Sequence, residues 1–256
     1  LPDDGARFFA DPFPFVVDGR LHLLVEEFPF ATGKGLISLT TLADDGRFGP
    51  VWPVIETDCH LSYPFVFAWN GRTWMVPETS GRRTVELWAN DGAPDRWRLD
   101  RVLLADVDVG DATLAEIDGR WWLFGATRAP FTSSWEALSL WSAPSPLGPW
   151  LAHRPDPVRV DVRSTRPAGH LFRTAEGLFR PVQDSSRGYG SGLALTRIEA
   201  IGEGGFRESP HRRFATPAPL SGLHTWNRLA HAGRRFEVVD MHVAPSAFGA
   251  QRILAP

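Results

Sequence analysis

Apolar and polar residues alternate in short runs along the whole chain, and tight turns containing glycine separate these runs. The clearest unit has an apolar run at 11–17, a turn at Asp18-Gly19 and a second run at 21–27. Asp-Gly and Asn-Gly between such runs favour hairpins with type I′ turns, because both central residues need a positive φ. No long stretch has apolar residues at i, i+3, i+4 and i+7, so the pattern predicts an all-β chain.

The same hairpin recurs at intervals of roughly 50 residues, a period typical of propeller blades. Strand-like sequence follows each of the first four hairpins, for example at 85–89, so each repeat predicts a four-stranded antiparallel sheet. We therefore predict one five-bladed β-propeller domain that spans 1–256 and is closed by its termini. The alternative, a large β-sandwich, gives no reason for a fixed long period. The predicted blades are 8–50, 60–100, 109–152, 165–210 and 222–256.

Composition and charge narrow the classes of partner. The chain has 256 residues, 43% of them hydrophobic, and its 27 basic and 30 acidic residues give a net charge of −3. This balance predicts neither a nucleic acid nor an anionic membrane as partner. No apolar run is long enough to enter a bilayer as a helix, and no signal peptide is visible. Cys59 is the single cysteine, which fits a reducing cytoplasm but also a secreted propeller, and the lack of a visible signal peptide favours a cytoplasmic location.

Propeller geometry predicts which residues converge. The first strand of each blade lines the central channel, and its start lies on the same face as the end of the second strand. The expected neighbours are Asp11, Tyr63, Asp111, 166–170 and 224–227 from the first strands, with Glu26, Glu27, Glu78, Gln183, Asp184 and Asp240 from the second strands. Carboxylates grouped in this way suit glycoside hydrolysis, in which one acts on water and another protonates the leaving oxygen. For each single acid the alternative is a structural role at a strand end.

Histidines and aromatic residues add candidate contacts. His60, His170 and His224 are expected near the channel, where they would bind sugar hydroxyls or a central cation such as calcium. Tyr63 and Trp226 would stack on sugar faces, or pack between blades instead. No glycine-rich phosphate loop and no zinc-ligand spacing occurs, so no cofactor is predicted.

One motif resembles a family of enzymes. The segment 10–13, Ala-Asp-Pro-Phe, resembles the first-blade motif of five-bladed glycoside hydrolases, notably the family-43 arabinosidases and xylosidases. This resemblance implies that Asp11 is a general base and that Asp111 orients the acid and tunes its pKa. It also implies inversion at the anomeric carbon.

A second resemblance covers most of the chain. The sequence is similar to the N-terminal propeller domain of plant glucosamine inositolphosphorylceramide transferases, and to bacterial relatives that carry it beside formyltransferase-like or sugar-modifying domains. It implies a carbohydrate ligand and an adjacent sugar-modifying domain as partners. The similar segments are 10–13, 60–67, 75–78, 121–125, 145–150 and 166–169.

The chain departs from the hydrolase pattern at the start of the fourth blade. Family-43 enzymes place their acid glutamate there, whereas 163–170 contains no carboxylate. Either Glu78 or Glu27 donates the proton, or the domain binds sugar without cleaving it. In the second case Arg166 would grip an anionic ligand group or a neighbouring carboxylate.

These observations leave two main hypotheses and a weaker third. The first is a glycoside hydrolase with Asp11 as base, Asp111 as modulator and Glu78 as acid. The second is a non-catalytic carbohydrate-recognition domain that accompanies a glycan-modifying enzyme, and the third is a protein-interaction platform. The predicted substrate-binding residues are Glu27, His60, Tyr63, Arg166, His170, Asp184, His224 and Trp226.

Overall fold

A computed structural model describes residues 1, 3–43, 45–128, 132–154, 156–216 and 220–243, and every statement below refers to them. They form an all-β propeller. The first sheet contains β1 Arg7–Val17, β2 Arg20–Pro29, β3 Leu36–Thr41 and β4 Trp52–Ile55. The second contains β5 Ser62–Trp69, β6 Arg72–Thr79, β7 Thr84–Asn90 and β8 Trp97–Ala105, with a short 3₁₀ helix at Ser80–Arg82.

The later sheets repeat this arrangement, with short outer strands in the third and a short first strand in the fourth. The third contains β9 Val109–Ile117, β10 Arg120–Thr127 and β11 Ala137–Ala143, and both β12 Leu151–Ala152 and β13 Arg159–Val160 pair with β11. The fourth contains β14 Phe172–Thr174, β15 Gly177–Gln183, β16 Leu193–Gly202 and β17 Gly205–Arg213. A final hairpin contains β18 Leu220–His231 and β19 Arg234–Val243.

Within the described residues, the prediction of five complete blades is not confirmed. The described residues form four complete antiparallel blades, and the fifth repeat is a two-stranded hairpin rather than a four-stranded sheet. This hairpin packs against β1 on one side and against β15 and β16 on the other. It therefore joins the fourth blade to the first. The third and fourth strands expected after it would fall within 244–256, outside the described residues.

The hairpin turns form as the sequence predicts. Asp18, Asn70 and Asp118 have positive φ values of 50°, 50° and 51°, and the glycine after each also has a positive φ. Such angles are those of the type I′ turn, in which the twist of the turn matches the twist of the strands.

The core lies between neighbouring blades, where large apolar side chains from first, second and third strands meet. Phe13, Phe65 and Met75 are fully buried in the cluster that joins the first two blades, and Trp74 and Trp121 pack into it as well. Among the described residues, no helix is long and apolar enough to cross a bilayer.

Candidate functional site

Three β-bulges at equivalent places bring side chains to the channel. Asp11, Tyr63 and Asp111 lie where the first strand of a blade has one extra residue, so that two of its residues face one residue of the second strand, and each has a φ between 43° and 52°. A positive φ is costly for these residue types, so surrounding bonds must hold it. Each bulged N–H donates to a carboxylate: Asp11 to Asp240 at 2.9 Å, Tyr63 to Asp11 at 3.1 Å and Asp111 to Glu78 at 3.0 Å.

The Asp11 carboxylate is enclosed by protein donors. Tyr63 N–H and the Thr225 hydroxyl donate to it, and His224 Nδ1 lies 3.0 Å from its Oδ1. Asp11 is only 1% exposed. Burial raises the pKa of this carboxyl, but His224, Thr225 and the Tyr63 N–H outweigh burial and lower the pKa below its ordinary value. Asp11 is therefore an ionised, fully bonded carboxylate.

His224 connects this carboxylate to the channel opening. Its Nδ1 lies between Asp11 and Asp240, at 3.2 Å from Asp240 Oδ2, and its Nε2 is 2.6 Å from the Tyr189 hydroxyl. Burial lowers the pKa of His224, but Tyr189, Asp11 and Asp240 together raise it well above its ordinary value. We therefore treat His224 as an imidazolium between two carboxylates.

The Asp111 carboxylate is held on the opposite side of the channel. Arg166 donates to it through Nε at 2.6 Å and Nη2 at 3.0 Å, and Gln183 Nε2 donates at 2.9 Å. Burial raises the pKa of Asp111 well above its ordinary value, and the charge of Arg166 acts against that rise. The Arg166 Nη2 atom is also 3.2 Å from Glu78 Oε2. Asp111, Arg166 and Glu78 thus form one ion-paired network.

Glu78 does not have the environment of a proton donor. Burial raises its pKa, but Arg166, the Ser80 hydroxyl and the Asp111 N–H outweigh burial and lower it below its ordinary value. The Ser80 hydroxyl donates to its Oε1 at 2.8 Å. Because a general acid must hold its proton near neutral pH, this environment opposes the acid role expected for Glu78.

Glu26 has the environment that Glu78 lacks. Burial raises its pKa well above the ordinary value, and the negative charges of Asp11, Glu78 and Asp111 raise it further. Its Oε1 lies 3.4 Å from His60 Nε2. The Gly35 N–H donates to the other ring nitrogen of His60, at 2.9 Å, so the neutral imidazole carries its proton on Nε2 and faces Glu26.

A cavity of about 200 Å³ opens above this network. It is bounded by polar groups from three blades and by two aromatic rings, and we call it the cup. The Tyr189 ring lies 5.5 Å from the Trp135 ring, and the Arg166 guanidinium lies 5.0 Å from the Tyr189 ring. The lining residues are Glu78, Ser80, Asp108, Gly110, Arg128, Ser134, Trp135, Arg166 and Tyr189.

Several expected sugar contacts lie outside the cup. Glu27 faces away from the channel, because successive strand residues alternate, and it binds Arg7 at 2.5 Å and the Ser38 hydroxyl at 2.6 Å. The Tyr63 hydroxyl is buried between Thr113 and the Gly169 N–H. These expectations are corrected to structural roles.

Three further expectations change for similar reasons. His170 is buried with one ring nitrogen 2.8 Å from Asn227 Oδ1 and the other 2.7 Å from the Val66 carbonyl, so neither faces a ligand. Asp184 accepts from the Ser186 N–H and lies 3.4 Å from Arg213 at the edge of the fourth blade. Trp226 packs edge-on against Phe172 and Phe214, which makes it part of the contact between blades.

The three histidines do not form a shared cation site. Within the described part of the chain, His60, His170 and His224 have no hydrogen-bond partner in common. Ligand atoms that do converge belong to Asp11, His224 and Asp240, and these lie within 4.8 Å of one another. The imidazolium already supplies positive charge between the two carboxylates.

Sequence reasoning missed Tyr189 and Trp135. The segment 188–192, Gly-Tyr-Gly-Ser-Gly, predicts a turn, and it does turn, with positive φ at Gly188 and Gly190. The turn carries Tyr189 over the channel. A single aromatic residue flanked by glycines in a loop near the channel face was the available signal for a binding residue.

Comparisons with known proteins agree on fold and family. The sequence profile of the family described as "Glucosamine inositolphosphorylceramide transferase 1, N-terminal" matches residues 3–247. Glucosamine inositolphosphorylceramide transferase 1 of Oryza sativa subsp. japonica is 32% identical over 240 residues, which cover 92% of this chain and 31% of the rice protein. The chain thus spans about a third of the length of the curated relatives that it matches.

Several solved glycoside hydrolases share this fold. A glycosyl hydrolase from Bacteroides ovatus has a TM-score of 0.70 at 10% identity, over 95% of this chain and 88% of the other. The α-L-arabinofuranosidase from Podospora anserina in complex with cellotriose has a TM-score of 0.66 at 13% identity, over 91% and 81%. Identities this low show a shared propeller fold and nothing about activity.

Proposed function

We propose that this chain, which belongs to the N-terminal family of glucosamine inositolphosphorylceramide transferase 1, is a carbohydrate-recognition domain that binds sugar in the cup without cleaving it. We further propose that it accompanies a sugar-modifying domain, as the transferase names of the curated relatives suggest. The glycoside-hydrolase-like fold would then serve binding rather than bond cleavage.

One observation supports this proposal most directly. Both aspartates that a hydrolase would use are already bonded to protein groups and are each only 1% exposed. Three protein donors approach Asp11, and three approach Asp111. A general base must reach a water molecule, and a carboxylate enclosed in this way does not.

The cup suits a sugar by its shape and its chemistry. Trp135 and Tyr189 offer ring faces on which a pyranose can stack, and Ser80 and Ser134 add hydroxyl and backbone polar groups. The lining charges are matched, since Arg166 pairs with Glu78 and Arg128 lies 3.6 Å from Asp108. A neutral sugar or an amino sugar therefore fits better than the anionic ligand that Arg166 alone would predict.

Calorimetric titration with glucosamine-containing oligosaccharides tests this proposal. We expect saturable binding that Trp135→Ala weakens about tenfold or more, since stacked aromatic contacts in binding sites are commonly hot spots. Phe48→Ala is the matched control, because Phe48 is an exposed aromatic in the β3–β4 loop, away from the cup lining. Equal affinities of both variants and the unmodified protein would refute the cup as the sugar site.

Hydrolysis remains a second candidate because two neighbouring carboxyls have opposite pKa shifts. The pKa of Asp11 is lowered and that of Glu26 is raised, which is the division expected of a base and an acid. In this version Glu26 replaces Glu78 as proton donor, and Tyr189 must move to admit water. Release of reducing sugar that stops in both Asp11→Asn and Glu26→Gln would establish it.

A further inference from the structure

A second cavity, of about 270 Å³, lies at the junction of the third and fourth blades. The segment 159–164 forms one wall, and β16 and β17 form the other. We call it the arginine cavity, because arginines from both walls line it. Its lining residues are Arg159, Asp161, Arg163, Ser164, Ala194, Leu195, Thr196, Pro210, His211, Arg212 and Arg213.

The arginine cavity is strongly basic in a chain of net negative charge. Four arginines face one lining carboxylate, that of Asp161. Arg163 binds both oxygens of Asp161, at 2.8 and 2.9 Å, and Arg159 binds one at 3.1 Å. Hydrogen bonds from Arg163, together with others from Arg159, lower the pKa of Asp161 to about 2. Arg159 Nε also lies 3.6 Å from Glu208 Oε1, behind the lining. The single lining carboxylate is shared by two guanidinium groups, and the lining itself carries more positive than negative charge.

Two other arginines differ in how their charge is matched. Arg213 lies 3.4 Å from Asp184, outside the lining. For Arg212, the contact observed within the described residues is the Phe214 ring, 5.4 Å away, and no carboxylate lies within ion-pair distance. Arg212 therefore presents an unmatched guanidinium at the wall of a concave site, where an anion would be attracted.

A buried ion pair fixes the floor. Arg180 is fully buried and binds Glu208, and its Nη2 donates to the Ser164 carbonyl at 2.6 Å. Thr196 donates to Glu208 at 2.8 Å. These bonds hold the 159–164 wall against β16 and β17, so the arginines are arranged before a ligand arrives. Preorganisation of this kind reduces the entropy lost on binding.

We propose that the arginine cavity binds the phosphate group of a phosphorylated ligand. The planar guanidinium presents paired N–H donors that match the oxygens of phosphate, and arginine remains charged at all physiological pH values. Arg212 is the contact that carries the site, since it is exposed at the cavity wall and no carboxylate of the described residues pairs with it, whereas Arg163 is already bound to Asp161. The site is separate from the cup and does not depend on sugar binding there.

Calorimetric titration with inorganic phosphate tests the site. We expect saturable binding that weakens with added salt, and that Arg212→Gln lowers the affinity about tenfold, as expected for the loss of a hydrogen bond to a charged group. Arg207→Gln is the matched control because Arg207 is exposed on the same strand, β17, outside the cavity. Arg212→Lys, which keeps the charge and loses the fork, should also weaken binding.

Two further titrations separate the sources of the phosphate. Glycerol phosphate represents a soluble ester, and vesicles of phosphatidylcholine with equimolar phosphatidic acid represent a lipid headgroup. Binding of either that is lost in Arg212→Gln supports the site and identifies its source. The proposal is overturned if phosphate does not bind saturably, or if Arg207→Gln weakens binding as much as Arg212→Gln. Sugar binding in the cup should be the same in all three variants.

Discussion

At the scale of single residues, neighbours in one strand have opposite roles. Glu26 and Glu27 are adjacent in β2, yet one faces the channel and the other faces Arg7 and Ser38. The sequence places both at a strand end and cannot say which one turns inward, because a single bulge reverses the alternation. The strand register decides which glutamate faces the channel: Glu26 lies opposite Ala10, next to the bulge between Ala10 and Phe13.

Glutamine substitutions at these two positions should have opposite effects on stability. The folded pKa of Glu26 is raised well above 4.5, so the ionised side chain destabilises the fold at neutral pH. Glu26→Gln should therefore raise the Tm at neutral pH. At about pH 4, where Glu26 is protonated in the folded state, the substitution should not raise the Tm. Glu27→Gln should lower the free energy of unfolding by about 1–3 kcal/mol, since it loses charge-assisted bonds. Thermal unfolding at both pH values measures each. A loss of stability in Glu26→Gln at neutral pH would contradict the raised pKa.

His224 should make stability depend on pH in a defined direction. Its pKa is raised in the folded state, so the stabilisation is complete below the unfolded pKa of about 6.5 and is lost as the pH rises through the folded value. His224→Asn should therefore flatten the decline in Tm above neutral pH. His242→Asn is the control, because His242 is exposed near the end of β19. Parallel pH profiles for His224→Asn and the unmodified protein would rule out the imidazolium.

At the scale of elements, the bulges decide the site. Period-two alternation and Asp-Gly turns predict the hairpins, and the hairpins form where expected. The same patterns carry no signal for a bulge of one extra residue, which needs long-range bonds such as that from Asp111 N–H to Glu78. The sequence thus predicts that residues at the starts of first strands face the channel. It does not predict the ion pairs that enclose Asp11 and Asp111.

Gly110 tests the close packing around one bulge. A Cβ atom at this position would lie 2.8 Å from Arg166 Nη1 and 3.2 Å from Glu78 Oε2, so Gly110→Ala must displace the arginine that lines the cup. We expect sugar affinity to fall about tenfold. Gly202→Ala should leave it unchanged, because nothing lies within 4 Å of a Cβ there. Unchanged sugar affinity in Gly110→Ala would show that sugar does not bind in the cup.

At the scale of the whole molecule, the final hairpin joins the ring. Asn227 donates to the Pro12 carbonyl at 2.9 Å and accepts from the His170 N–H at 2.9 Å, and Trp226 N–H donates to Ala168 at 2.8 Å. The repeat predicted that this segment belongs to the ring. It also predicted a complete fifth blade there, because a hairpin motif alone does not show how many strands will follow it.

Loss of the Asn227 side chain should weaken the whole ring. Asn227→Ala leaves buried partners on the first and fourth blades unpaired, so the free energy of unfolding should fall by about 2 kcal/mol or more. Urea unfolding should still show one transition. Ser221→Ala, at the exposed start of β18, is the control and should change stability little. Two transitions in Asn227→Ala, one of them with the free energy of unfolding of the unmodified protein, would mean that the final hairpin folds separately from the ring.

Saturation-transfer NMR of the unmodified protein with a glucosamine-containing oligosaccharide tests recognition without cleavage most directly. The account predicts transfer of magnetisation to the sugar ring protons, loss of that transfer in Trp135→Ala, and an unchanged anomeric spectrum over long incubation. New anomeric signals from released sugar, absent in Asp11→Asn, would contradict it.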